Sequence, residues 1–333
     1  MNRIVMSMVV AATLSVAAVA QTRTQVVALE KGWNAVWLEV QPADASPTDV
    51  FAGAQVDIVA GFSKPVSEAQ FTKNATVNVQ SLAGWNVWYA PHRADAPLSR
   101  LHQLTADMGY LVHALEPATV TVRGTVSGAP VRWTPNRFNL VGFTVAQQGA
   151  PTFRQFFAAS KAHNHNKVYR LVNGTWRQIL NTDAEAMRPG EAFWIYCDGG
   201  SEYQGLLEVK ANASVGLALS GSTPGELTFR NAASHPLEIT LELVGGDGND
   251  LPPMAAIIRA VMQDAGGVAD VPIDFPDGVW TQAFPTFEAG EGIAVPLALR
   301  VKDAQPGHSY TGLLKVSTDL GTVTWVPLRA ATE

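Results

Sequence analysis

The chain has 333 residues, a formal net charge of −6 and charged residues at only 16% of its positions, against about 25% in ordinary globular domains. No cluster of Lys or Arg offsets the acidic balance, which argues against nucleic acid or an anionic membrane surface as a partner. A single cysteine, Cys197, excludes an intramolecular disulfide framework.

At the start of the chain, Arg3 supplies a short positive region and Ile4 to Ala18 an apolar run. Ala18-Val19-Ala20 then matches the small-x-small cleavage pattern, so residues 1–20 read as an export signal and Gln21 as the first mature residue. The run is shorter than the ~20 residues that span a bilayer, and no other segment approaches that length. The expected location is therefore secreted, periplasmic or cell-surface associated, with no integral membrane segment after cleavage.

An internal repeat organises the next two hundred or so residues. Leu29 to Val40 returns in looser form as Pro135 to Val145, with Asn34 aligned on Asn139 and Trp33 on Phe138. Val36, Leu38 and Val40 align with Val141, Phe143 and Val145, alternating at period two as one buried face of a strand does. Pro47-Thr48 then parallels Pro151-Thr152, each placing Thr as the cap of a short helix. Trp85 follows Gly84 as Trp176 follows Gly174, and Met108 to Val112 parallels Glu191 to Ile195. Two β-rich modules, 27–126 and 133–209, account for these ordered matches.

Within the second module, Cys197 ends the apolar run Phe193 to Cys197. Free cysteine in such a run behaves as a small buried hydrophobe, and the adjacent Asp198 opposes a reactive thiolate.

From residue 211 to the end, short alternating strands separated by Gly, Asn, Asp and Pro predict an immunoglobulin-like β-sandwich. Its strands are Ser214–Leu219, Glu226–Phe229, Leu237–Val244, Gly292–Val301, Tyr310–Ser317 and Thr322–Leu328. An insertion at 250–288 interrupts them. Apolar residues at Ile257, Ile258, Val261 and Met262 give it a helical pattern over Met254–Asp264, and the rest reads as irregular. The fold class is thus mainly β with a few short helices: two tandem β-rich repeat modules followed by an immunoglobulin-like sandwich.

Gly32-Trp33-Asn34 and Arg188-Pro-Gly-Glu-Ala-Phe-Trp-Ile195 resemble motifs of uncharacterised bacterial secreted and surface proteins built from repeated Gly-Trp-Asn modules, over roughly residues 27–210. Glu226 to Val244, Ala289-Gly290-Glu291 and Tyr310 to Leu314 look like a bacterial immunoglobulin-like domain. The resemblance implies export and a surface role, and supplies no catalytic residues.

Candidate sites are few. His163-Asn164-His165 offers two imidazoles with metal-ligand spacing, set against a solvated loop. Asp247, Asn249 and Asp250, in Gly245 to Asp250, have the oxygen-rich start of a calcium loop, but position 12 of an EF-hand falls on Ile258 and not on Glu. An irregular calcium site or a plain turn are the readings left. Otherwise no cofactor is implied. No Gly-x-Ser-x-Gly, His-Glu-x-x-His or dinucleotide fingerprint is present.

Among the nine tryptophans, Trp37 has Gly142 at its aligned position, and Trp88 adjoins Tyr89. Exposed together, Trp37, Trp88 and Tyr89 form an apolar ligand-binding patch; buried, they fill the contact between the modules. The functional expectation is a non-catalytic extracellular adhesion, scaffold or assembly protein whose partners are other envelope or extracellular proteins. A carbohydrate-binding protein using exposed tryptophans is the alternative, with glycans as ligands, and a secreted hydrolase the third reading.

Overall fold

A computed structural model describes residues 21–62, 84–127, 130–164, 167–213, 216–221, 223–245, 251–262, 267–274, 279–283 and 288–332. The export-signal expectation for residues 1–20 lies outside them. The protein is mainly β, with several antiparallel sheets and, among the described residues, two short α-helices.

Strand β1 (Thr22–Leu29) pairs antiparallel with β7 (Ala118–Val126), whose other edge takes β3 (Val40–Pro42), giving a three-stranded sheet. Val120 and Val122 alternate with exposed Thr119 and Thr121 along β7, the signature of a sheet buried on one face. Beside it, β2 (Gly32–Leu38), β4 (Val56–Phe62), β5 (Trp85–Tyr89) and β6 (Met108–Ala114) form a sheet in the order β2-β6-β4-β5. Further along, β8 (Arg137–Val141), β9 (Val168–Val172), β10 (Thr175–Gln178) and β11 (Phe193–Cys197) take the order β8-β11-β9-β10. The two four-stranded sheets therefore share one strand order.

Small details of the two sheets also correspond. Asn34 accepts the Glu30 N–H at 2.9 Å and donates to the Glu30 and Gly32 carbonyls at 2.8 and 3.0 Å. Asn139 accepts from the Thr134 N–H at 2.7 Å and donates to the Thr134 and Arg137 carbonyls at 3.2 and 3.1 Å. Each amide thus closes the loop that feeds its strand, supplying backbone partners the ladder cannot. A short helix follows the first strand of each sheet. In α1 (Pro47–Val50) the cap is Ser46, whose hydroxyl accepts from the Thr48 N–H, and Thr48 itself lies inside the helix because Pro47 takes its first turn. In α2 (Phe153–Phe157) Thr152 is the cap, completed by Gln155 in a reciprocal capping box.

The remainder is a sandwich of two five-stranded sheets. One contains β12 (Leu207–Ala211), β14 (Gly225–Asn231), β16 (Met254–Met262), β17 (Gly267–Asp274) and β19 (Gly292–Leu299), in the order β12-β14-β19-β16-β17. The other contains β13 (Leu217–Ser220), β15 (Glu238–Val244), β18 (Val279–Ala283), β20 (Ser309–Thr318) and β21 (Val323–Ala331), in the order β13-β21-β20-β15-β18. Leu217, Leu227, Phe229, Ile239, Leu297, Leu314 and Leu328 fill the space between them.

The insertion at 250–288 departs from expectation. Met254–Met262 is a strand and not a helix, and β17 and β18 replace an irregular segment. Its β-branched residues suit a strand as well as a helix, and β19 on one side with β17 on the other decides between them. Pro272 is accommodated because β17 is an edge strand.

Backbone bonds join the three units. Val36 bridges Glu191, with the Trp37 N–H donating to Gly190 O at 2.8 Å and the Ala192 N–H to Ala35 O at 3.0 Å. Val145 bridges Thr322, with Ala146 N–H to Gly321 O at 2.8 Å and Val323 N–H to Thr144 O at 3.0 Å.

Candidate functional site

The inward face of β1 changes character along its length. Val27 and Leu29 are buried aliphatics, yet the earlier positions on the same face are Gln25, Arg23 and, just before the strand, Gln21. Polar groups on a buried face need partners, and these three find theirs in other parts of the chain. The Gln21 amide donates to the Leu328 carbonyl on β21. Arg23 pairs with Glu39, and its guanidinium lies over the Trp325 ring, 5.1 Å from the centroid. Gln25 donates to Trp37 O and accepts from the Glu39 N–H, both at 2.8 Å, so its side chain acts as a short length of strand.

Arg23 and Glu39, with Trp37, form one wall of a cleft of about 1160 Å³ where both modules and the sandwich meet. On the opposite wall Arg230 donates to Glu208, through Nε at 2.8 Å. Trp133 and Tyr203 close an end, with the indole N–H donating to Tyr203 O at 2.7 Å and the Tyr203 hydroxyl to Phe156 O.

Burial controls ionisation in the cleft. It raises the Glu39 carboxyl above its ordinary value, opposed by Arg23 and by hydrogen bonds from the Gly190 backbone and the Thr144 side chain. It pushes Asp107 up to about 6, with repulsion from Glu39 adding to the effect and a Ser127 hydrogen bond and Arg23 opposing it. Asp107 sits at φ 55°, a left-handed conformation that Asp and Asn tolerate better than most residues. Its N–H donates to Leu38 O at 2.7 Å, and its Oδ2 is buried without a hydrogen-bond partner.

A second polar cluster lies on the first module's four-stranded sheet. Buried Asp57 accepts from Arg93 at 2.5 Å and engages His113 Nδ1 at 2.6 Å, while Arg93 also pairs with Asp95 at 2.8 Å. Trp33 stacks near His113 at 5.0 Å between centroids. In the second module Arg170 is held by Glu185 at 2.7 Å and Glu191 at 2.9 Å.

Of the described residues singled out from sequence, only Trp37 borders this cleft. Trp37, Trp88 and Tyr89 are 3%, 8% and 5% exposed, so they make no open ligand patch. Trp88 and Tyr89 are consecutive on β5, and consecutive strand residues face opposite sides of a sheet. Trp88 packs in the first module's core, whereas Tyr89 and Trp37 belong to the larger core that runs on into the second module. Trp37 lies against Gly142, at the contact between the modules.

His163 is 3% exposed and is not a solvated loop residue. It stacks on Trp133 at 4.0 Å and on Phe157 at 4.9 Å, with Nδ1 2.6 Å from the Ser160 hydroxyl. Burial pushes it down to about 4, so near neutral pH it is an uncharged core ring. His165, Asp247, Asn249 and Asp250 lie outside the described residues. Among the described residues no group of three or more His, Cys, Asp or Glu side chains converges as a metal site would require. Cys197 is a buried free thiol, raised by burial and then by Asp198. No helix among the described residues is long and apolar enough to cross a membrane.

No protein-family model matches the chain, and no curated protein matches it. Among solved structures, the ASH/PapD-like domain of human CEP192 (PapD-like domain 7) superposes with a TM-score of 0.22 at 11% identity, covering 38% of this chain and 85% of that one. The C-terminal domain of the Streptococcus pyogenes antigen I/II-family protein AspA superposes with a TM-score of 0.20 at 11% identity, covering 94% and 93%. Scores this low carry no argument about what the chain does.

Proposed function

We propose that this chain is a non-catalytic scaffold of the extracellular space or cell surface, an adhesion or assembly component that presents its faces to other envelope or extracellular proteins. The observation that supports this reading is the stapling of three β-rich units by paired backbone bonds at Val36/Glu191 and Val145/Thr322. Gln21 and Arg23 add direct contacts from the first module to the sandwich, at Leu328 and Trp325. A part whose task is to hold binding faces at fixed spacing gains from such joins, since ordering done on folding is not repeated on binding.

In-cell crosslinking followed by fractionation tests it. The full chain is expected in an envelope or matrix complex, and a variant that breaks the Trp37–Gly190 bond is expected to be exported yet to lose that complex. A freely dispersed monomer, or turnover of a substrate at an identified site, overturns the reading.

A further inference from the structure

The most unusual group in the cleft is Asp107. Its backbone bond to Leu38 seats it beside Glu39, and Oδ2 is sealed from solvent without a partner. Arg23, the cation that acts on Asp107, is paired with Glu39 and lies over the Trp325 face, with its Nε buried and unbonded. The other charged groups facing the cleft are Arg132 from the segment joining the modules, Glu202 at the end of the second module, and Glu208, Lys210 and Arg230 on the sandwich. Glu208 and Arg230 neutralise each other.

As a carboxylate, Asp107 repels Glu39 and is poorly solvated. As a neutral acid it does neither. We infer that the junction of the two modules and the sandwich is a proton-controlled latch, held closed while Asp107 carries its proton and released towards an open form when that proton leaves. The direction follows from linkage. Opening wets Asp107 and Glu39 and returns them towards ordinary carboxylate behaviour, so opening releases protons and is favoured as pH rises. Asp107 is pushed up to about 6 in the closed form. The equilibrium constant for opening should therefore climb towards tenfold per pH unit between about pH 4 and pH 6, then level off. Glu39 shifts in the same direction and adds to the slope.

Amide hydrogen exchange on the full chain, corrected for the intrinsic rate at each pH, reads this directly. Segments 142–147 and 321–326 contain the bridge amides Ala146 and Val323. Their opening constant is expected to rise at least tenfold from about pH 4.5 to about pH 6.5, while β11 stays protected. Asp107→Asn keeps the positive-φ turn and removes the charge, so its profile should lose most of the rise, leaving only the smaller slope that Glu39 contributes. Should that variant not fold, Glu39→Gln removes the neighbouring charge and is expected to move the rise to lower pH. A corrected profile without pH dependence overturns the latch. So does one unchanged in either variant, and so does parallel loss of protection in β11, which marks global unfolding.

Discussion

Replacing Gly142 by alanine tests the join between the modules at its tightest point. A Cβ there falls 2.4 Å from Trp37 Cγ, 2.5 Å from Trp37 Cβ and 2.6 Å from Glu191 O, where non-bonded carbon atoms settle at about 3.5–4.0 Å. None of these neighbours can give way cheaply. Trp37 is buried and its N–H is bonded to Gly190 O, while Glu191 is the partner of Val36 in the bridge. Overpacking usually costs about 1–3 kcal/mol, and two backbone bonds are at risk here, so about 3 kcal/mol is expected. Equilibrium unfolding in urea gives the total. Exchange at the Trp37 and Ala192 amides shows whether the loss lies at the join, which matters because a chain of several units need not unfold in two states. Trp37→Ala alone should cost about 3–5 kcal/mol. Combined with Gly142→Ala it should cost less than the sum by about 0.5 kcal/mol or more, because the contact with Trp37 Cγ has gone while those with Cβ of residue 37 and Glu191 O remain. A Gly142→Ala protein within about 0.5 kcal/mol of the parent, or strict additivity, refutes the reasoning.

Asp57→Ala should lower stability by about 2 kcal/mol in thermal unfolding, below the 3–5 kcal/mol of a fully buried pair, because the Arg93 and His113 side chains keep 31% and 28% exposure. Asn34→Ala and Asn139→Ala should each cost about 1–2 kcal/mol in chemical denaturation; a large effect at one and none at the other breaks their equivalence. His163 is pushed down to about 4 from an ordinary 6.5, so its stabilising contribution is complete above about pH 6.5 and is lost as pH falls through 4, about 3 kcal/mol in all. His163→Phe should therefore shift acid unfolding, followed by near-ultraviolet circular dichroism, to lower pH.

Alternation was a sound guide wherever a strand has one wet face. Glu226 to Phe229 and Tyr310 to Ser317 lie within β14 and β20, whereas β2 is buried on both faces from Ala35 to Leu38, with Val36 and Leu38 in one core and Ala35 and Trp37 in the other. It misled at Met254–Met262. Apolar residues at Ile257, Ile258, Val261 and Met262 satisfy a helical stripe, and only distant partners show otherwise. The aromatic positions could be ranked by alignment but not by burial. Trp37 stands opposite Gly142 both in the alignment and in space, so one copy supplies a large side chain and the other the room for it.

The cleft was harder to read for a reason of geometry. Arg23, Glu39 and Asp107 are brought together by the folding of the first module and Trp325 by the packing of the sandwich against it, and no local spacing can announce such a set. A faint signal did exist. Gln21, Arg23 and Gln25 occupy the face that Val27 and Leu29 continue as apolar, and Glu39 lies between Leu38 and Val40, both buried. Polar residues at positions where periodicity demands aliphatic ones cannot be left unpaired in a packed protein. They therefore imply a partner from elsewhere before any coordinates are known. What they cannot name is that partner, nor could they have singled out Asp107, whose neighbours along the chain, Ala106 and Met108, look like any strand entry. Its ionisation depends on burial first and then on Glu39, Ser127 and Arg23, and it lines the cleft that the three units enclose, so its proton sensitivity belongs to the packed arrangement and not to its sequence neighbours.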